Sequence, residues 1–325
     1  MPFRPLLAAL ACAGTTVAAA AQSGSPSLSP AELETEDTTG ADTDVAGTDD
    51  GVDWVIQAGG LYQFEADIDD GGAFSLTHGR GAVTATFTLS PESRLSAAIS
   101  FDRYRYDFSD EGRFGGTEPW EDVNDFGASL LLKQHLSGRW GLLALGFIDV
   151  AAESGADAGD ALTGGGGMGL TYTFNPSLTI GFGLTVATRL EDDPQVFPLV
   201  VVDWRINDHA RLLAGRVDVA STLGPGFDLG WSFDDHWSMG VGARFRTTRF
   251  RLDDEDFAPD GVAEHQSVPV YARLSLNFGT GSSAFVFGGV SFAGSLEVDN
   301  RNGRRVFDED YDAAPFIGAG IRLRF

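Results

Sequence analysis

The 325-residue chain has one cysteine, Cys12, and one lysine, Lys133, and it lacks any apolar run of transmembrane-helix length. Because Cys12 lies in the first 21 residues, a chain cut after them has no thiol for disulfides, thiolate metal sites or redox chemistry. Basic charge is also scarce: 22 Lys+Arg stand against 47 Asp+Glu, a formal net charge of −25. Nucleic acid and other polyanions are excluded as partners, since binding them needs a basic patch. Helical apolar periodicity is missing throughout, so neither a bundle nor a helical membrane span is expected.

What is present begins with "MPFRPLLAALACAGTTVAAAA" (1–21), one basic residue followed by an apolar stretch and small residues, which reads as a secretory signal peptide. Residues 22–51 hold eight acidic residues and no basic one, the composition of a self-repelling disordered segment. From Val52 the pattern becomes period two. Val83, Ala85, Phe87 and Leu89 alternate with Thr84, Thr86 and Thr88, and Leu178, Ile180, Phe182, Leu184 and Val186 alternate with Thr179, Gly181, Gly183 and Thr185. Phe227, Leu229, Trp231 and Phe233 repeat the alternation, as do Val270, Ala272, Leu274, Leu276 and Phe278. One face is apolar and the other is small or polar, the strand signature.

Short connections ("SPES", "HLSG", "NPS", "NDH", "DDH", "GTGSS") alternate with longer acidic, Gly-rich ones ("DIDDGG", "SDEGRFGGTEPWED", "ESGADAGD", "EDDPQ", "DDEDFAPDGVAEH", "DNRNGRRVFDEDYD"). The spacing predicts an all-β meander of about fourteen strands (12–16) over residues 52–325. A soluble sandwich alternates too, but the non-apolar face here carries charges in mid-strand, and Trp, Tyr and Phe cluster at strand ends (Trp54, Trp140, Trp204, Trp231, Trp237). Runs of roughly ten residues, turns short at one end and long loops at the other favour a transmembrane antiparallel up-and-down barrel, polar inside and apolar outside.

"IGAGIRLRF", with Ala319, Ile321, Leu323 and Phe325 at alternate positions, resembles the C-terminal β-signal of Gram-negative outer-membrane proteins. That resemblance implies an outer-membrane location and recognition of those four residues by the barrel-assembly machinery. "FPLVVVDWRINDHARLLAGR", "RFRLDDEDFAPDGVAE" and "EDYDAAPFIGAGIRLRF" make most of 52–325 similar to an uncharacterised proteobacterial family of outer-membrane barrels with no assigned function. It brings no catalytic residues with it, and outer-membrane lipid and lipopolysaccharide are the partners it implies.

The residues expected to line the lumen are Asp125, Lys133, Asp203, Arg205, Arg216, Asp218, Asp228, Arg244, Arg246, Arg273, Arg322 and Arg324. They either pair into a network that fills the interior or border a water-filled path whose sign sets ion preference. No connection is clearly long enough to plug a ring of this width, though residues 22–51 have the charge to enter it. "LTGGGGMG" (162–169) has no Lys-Ser/Thr of a phosphate loop, and its glycines are expected to bend strands and keep the lumen clear.

His135, His209 and His236 fall in short turns of different hairpins, which favours solvated residues over a metal site. His78 with Ser75, and His265 with Ser267, raise an outer-membrane lipase or protease without any supporting signature. The acidic loops have the oxygen ligands for divalent cations but no EF-hand spacing. No cofactor is expected. The reading is a passive pore for small polar solutes. The alternative is a structural or surface barrel with a closed, salt-bridged lumen, and a lipase or protease comes third.

Overall fold

The computed structural model describes residues 51–109, 119–216, 225–254, 258–279 and 281–325. The proposed signal peptide, all but the last residue of the acidic segment, and Asp218 lie outside them. The described residues form one antiparallel meander of sixteen strand segments. The first eight are β1 (Val52–Asp67), β2 (Ala73–Ser90), β3 (Ser93–Ser109), β4 (Asp122–Ser137), β5 (Trp140–Glu153), β6 (Leu162–Asn175), β7 (Leu178–Arg189) and β8 (Asp192–Arg205). The rest are β9 (Ala210–Arg216), β10 (Pro225–Ser232), β11 (Trp237–Arg244), β12 (Arg246–Arg251), β13 (Val262–Phe278), β14 (Ser282–Asp299), β15 (Arg305–Tyr311) and β16 (Ala314–Arg324).

Two pairs of segments are halves of single strands. Ala243 pairs with Val270 and Arg246 with Ser267 in one continuing register, so β11 and β12 run along β13. Likewise β15 and β16 both run along β14. The sheet is therefore a fourteen-stranded barrel, and it closes where β1 pairs with β16 from Val55↔Arg324 to Gln63↔Phe316. Closure removes the sheet edge, which matters wherever water is absent, because every backbone N–H and C=O then has a partner within the ring.

The short turns form as the sequence predicts, and for a visible reason. Asn207 Oδ1 accepts from the N–H groups of His209 and Ala210, each at 2.9 Å. Asp234 Oδ1 accepts from Trp237 at 2.7 Å and His236 at 2.8 Å, and these bonds hold its carboxyl below the usual carboxylate range. The alternation also divides the faces as expected: Phe182 and Leu184 are 66% and 60% exposed on the outside. Trp54, Trp140, Trp204, Trp231 and Trp237 ring the short-turn end as an exposed aromatic belt.

One expectation about the other end is overturned. "EDDPQ" is no long loop: Leu190 and Glu191 make a tight turn, with Glu191 at φ 52°, and Asp192 already begins β8. Among the described residues the lumen is also narrowed at this end, by strands. Irregularities fall at one level: a register shift after Gln63 in β1, the break at Phe245, another shift after Gln266 in β13, and Ala293 at φ 48° in β14. Bulges bend strands, and this line of them folds the β12–β15 arc across the lumen until Arg251 bridges to Ala152 of β5.

Nine segments, β1–β5 and β12–β15, thereby close a smaller ring at the long-loop end. Its seam is an Ile68↔Tyr311 bridge, with Asp312 N–H bonded to Asp67 O at 2.8 Å. All nine supply buried residues to one apolar core, among them Phe74, Tyr106, Phe250, Leu296 and Tyr311, with Trp120 seated among them. Edge-on aromatic pairs order it, such as Phe74–Tyr311 at 4.9 Å and Phe108–Trp120 at 5.3 Å.

Candidate functional site: the barrel interior

Strand alternation decides which side chains enter the interior, and pairing carries that parity around the ring. On β10, Asp228 is 4% exposed and faces inward between Phe227 and Leu229, which point out. Tyr271 donates to Asp228 Oδ2 at 2.9 Å, and Arg273 Nη2 donates to Oδ1 at 3.1 Å. Arg244 donates to the Tyr271 hydroxyl at 2.8 Å and lies over its ring at 5.5 Å. The cluster lies flat because β11 offers glycine beneath it. A Cβ on Gly242 would stand 2.5 Å from the Tyr271 oxygen, and one on Gly240 would stand 3.1 Å from Arg273.

A second cluster spans β2 to β4. Asp102 accepts from His78 at 2.7 Å and from Arg80, both buried, while His78 stacks on Tyr104 at 4.2 Å. Arg246 of β12 covers the same Tyr104 ring at 4.9 Å. Asp125 of β4 stands directly across from Asp102, and Asp149 of β5 pairs with Gly127, one step along the same face. Three inward carboxylates thus stand on adjacent strands.

The third cluster belongs to the inward fold. Glu264 is 0% exposed and receives Arg249 at 2.9 Å and Arg189 at 2.5 Å on one oxygen, while Gln266 holds the other at 2.6 Å. Arg249 also reaches Asp299 at 2.9 Å and Leu190 O, which fastens β12 to the β7–β8 turn.

The other predicted lumen residues are distributed more widely. Lys133 pairs across with Arg94 near the short turns, and Asp203 forms a two-pronged pair with Arg211 at 2.9 Å on each prong. Arg205 ends β8 opposite Arg211. Arg322 lies opposite Gln57 and Ser283, and Arg324 reaches Asp53 at 3.3 Å. Arg216 ends β9, but its side chain lies outside the described residues.

Sequence reasoning missed His78 as an interior residue, weighing it only beside Ser75, and missed Arg80, Asp102, Asp149, Arg189, Arg249 and Glu264. The first two were within reach, because the inward face read at Thr84 and Thr86 continues back through Ala82 to Arg80 and His78. It also missed an apolar wall: Leu131, Leu143, Leu145, Phe147, Leu199 and Val201 turn inward and pack together. The β6 glycines make that possible by being covered rather than by keeping space clear. A Cβ on Gly165 would stand 2.4 Å from Phe147, and one on Gly169 would stand 3.3 Å from Leu199.

The histidines weighed as catalytic lie deep inside. His265 sits between the hydroxyls of Tyr106 (3.0 Å) and Tyr311 (2.7 Å) in the apolar core. His135, His209 and His236 occupy separate turns, and among the described residues no group of three His, Cys, Asp or Glu is placed to hold a metal ion.

Removing the Tyr271 hydroxyl tests the first cluster. Tyr271→Phe deprives Asp228 and Arg244 of one buried partner each, and unfolding in lipid vesicles is expected to become easier by about 1–3 kcal/mol. Tyr62→Phe, on the exposed outer face, is expected to change nothing measurable.

The model of the family described as "Domain of unknown function (DUF6268)" matches residues 118–324. No curated protein matches the chain. Among solved structures, the chain is similar to the COG4313 outer membrane channel from Pseudomonas putida F1. The identity is 11% and the TM-score 0.46, over 87% of this chain and 100% of that one. The P. putida toluene transporter TodX is similar at 8% identity and TM-score 0.42, over 85% and 90%. The translocator domain of the autotransporter NalP from Neisseria meningitidis is similar at 13% identity and TM-score 0.34, over 87% and 90%. At such identities the likeness concerns the fold alone.

Proposed function

We propose that this chain, which belongs to the family described as "Domain of unknown function (DUF6268)", is an outer-membrane channel for small polar solutes. The observation that carries the reading is the inversion of the barrel. Large apolar side chains such as Ile148, Phe182 and Ile317 are exposed outside, while charged groups are buried inside. Several inward N–H groups have no protein acceptor: Nε and Nη1 of Arg244, Nη2 of Arg246 and Nε of Arg273. Buried donors left without a protein acceptor are commonly met by ordered internal water.

The outward Ile321 and Phe325 suit contact with lipid and with the assembly machinery, and lipopolysaccharide and divalent cations are the proposed company of the acidic loops. The second reading, a structural barrel with a closed interior, is supported by the cored ring at the long-loop end. Planar-bilayer recording of the refolded protein decides between them. Discrete conductance steps are expected, and their absence at every voltage would overturn the channel reading.

A further inference from the structure

The charge of the whole chain and the charge of its interior have opposite signs. The chain carries a net charge of −25, which by itself would draw cations. On the short-turn side of the line of bulges the interior is the reverse. There the arc from β8 to β16 faces inward with Arg205, Arg211, Arg244, Arg273, Arg322 and Arg324, against only Asp203 and Asp228 among the described residues. Alternate positions such as Trp204, Leu274 and Ile321 are exposed on the outside. On the β1–β5 arc the charges nearly balance, with Arg80, Arg94 and Lys133 against Asp53, Asp102, Asp125 and Asp149. We infer that this half of the interior is a vestibule for small anions, in which Arg273 and Arg244 form a site for oxyanions such as carboxylate or phosphate. The inference deepens the channel reading above and rests on it.

Access is graded from the short-turn end. The side chains of Arg211 and Arg324, close to that end, are each 36% exposed, and that of Arg273 is 22% exposed. Arg273 stands opposite Gly240, and Arg244 and Arg246 follow deeper along β11 and β12, at 1% and 7%. The wall beside Arg244 is nearly bare. Its inward pairs are Gly226↔Arg244, Asp228↔Gly242 and Gly230↔Gly240, so only two side chains share it.

The acids nearest these arginines are already engaged. Asp228 accepts from Tyr271 and Arg273, Asp203 from Arg211, and Asp102 from His78 and Arg80. Donors are left over on the basic side: Nε of Arg273, Nε and Nη1 of Arg244, and Nη2 of Arg246 have no acceptor in the protein. A guanidinium edge with unused N–H groups matches the two oxygens of a carboxylate or phosphate, which form stronger bonds to it than water does. Arginine-lined interiors select anions for the same reason.

The test is the reversal potential of the refolded protein across a KCl gradient, with acetate and inorganic phosphate as added blockers. Wild type is expected to favour Cl⁻ over K⁺ by about threefold or more, and either oxyanion to cut the current by about half or more. Arg244→Gln with Arg273→Gln is expected to lower the Cl⁻ preference by about half or more and to lose the block. Arg273→Gln alone, at a partly exposed position, repeats the comparison if the double variant does not fold, and the wild-type preference needs no variant. Steady wild-type currents that favour K⁺ or neither ion would overturn the vestibule and leave the channel reading standing. The same holds for currents that neither oxyanion blocks, or a block unchanged in the variants. Silence from wild type at every voltage would overturn both.

Discussion

Glu264→Ala is expected to unfold in lipid vesicles at a much lower denaturant concentration than wild type, a loss of about 3–5 kcal/mol. The residue is fully buried and receives two guanidinium groups, Arg249 and Arg189, on one oxygen. Removing it leaves two cations facing each other with one shared acceptor gone, the costly half of a buried ion pair. Arg249 keeps Asp299 and Leu190 O, and Arg189 keeps Asp192, so the barrel itself should still form. What loosens is the hold of β12 on the β7–β8 turn. Glu297→Ala is the comparison, since its partner Arg305 is 42% exposed and such a pair contributes about 1 kcal/mol or less. Equal effects from the two variants would show that the inward fold does not depend on the Glu264 pairs.

Ile321→Pro is expected to abolish the closed barrel altogether. Ile321 pairs on one side with Ala58 of β1 and on the other with Ala284 of β14, so β16 is a central strand despite lying last in sequence. Proline removes an N–H and crowds the ladder, and it is tolerated in sheets only at edges and bulges. In lipid the orphaned carbonyl has no water to turn to, a cost of several kcal/mol. The readout is heat-modifiable migration on a gel, with the folded band lost. Ile321→Val keeps the apolar outward side chain and the N–H, and should retain that band.

Much of this fold was legible because its signals are local. Alternation with period two gives strand, inward face and outward face together, and Asn207, Asp234 and Asn175 give the tight turns through side-chain caps that need no distant partner. Strand number followed from counting those turns. The same alternation put Asp228, Arg244, Arg246 and Arg273 on the interior, and it reaches His78 and Arg80 when the Thr84 face is followed back.

The inward fold was not legible, for a physical reason. A bulge shifts parity by one residue at a position that sequence does not mark, so the faces of β12 and upper β13 no longer follow from the strands below them. Glu264 therefore falls within the stretch "DDEDFAPDGVAEH" read as a long loop, although it lies in β13 and is buried against Arg249. Nor does alternation distinguish an inward leucine from an outward one where both faces are apolar, as in β5. By itself the sequence determined a closed strand meander with charge inside, since each strand's two faces are written in its own residues. Only the tertiary structure decided that the interior is divided, because that depends on which distant strands the bulges bring together.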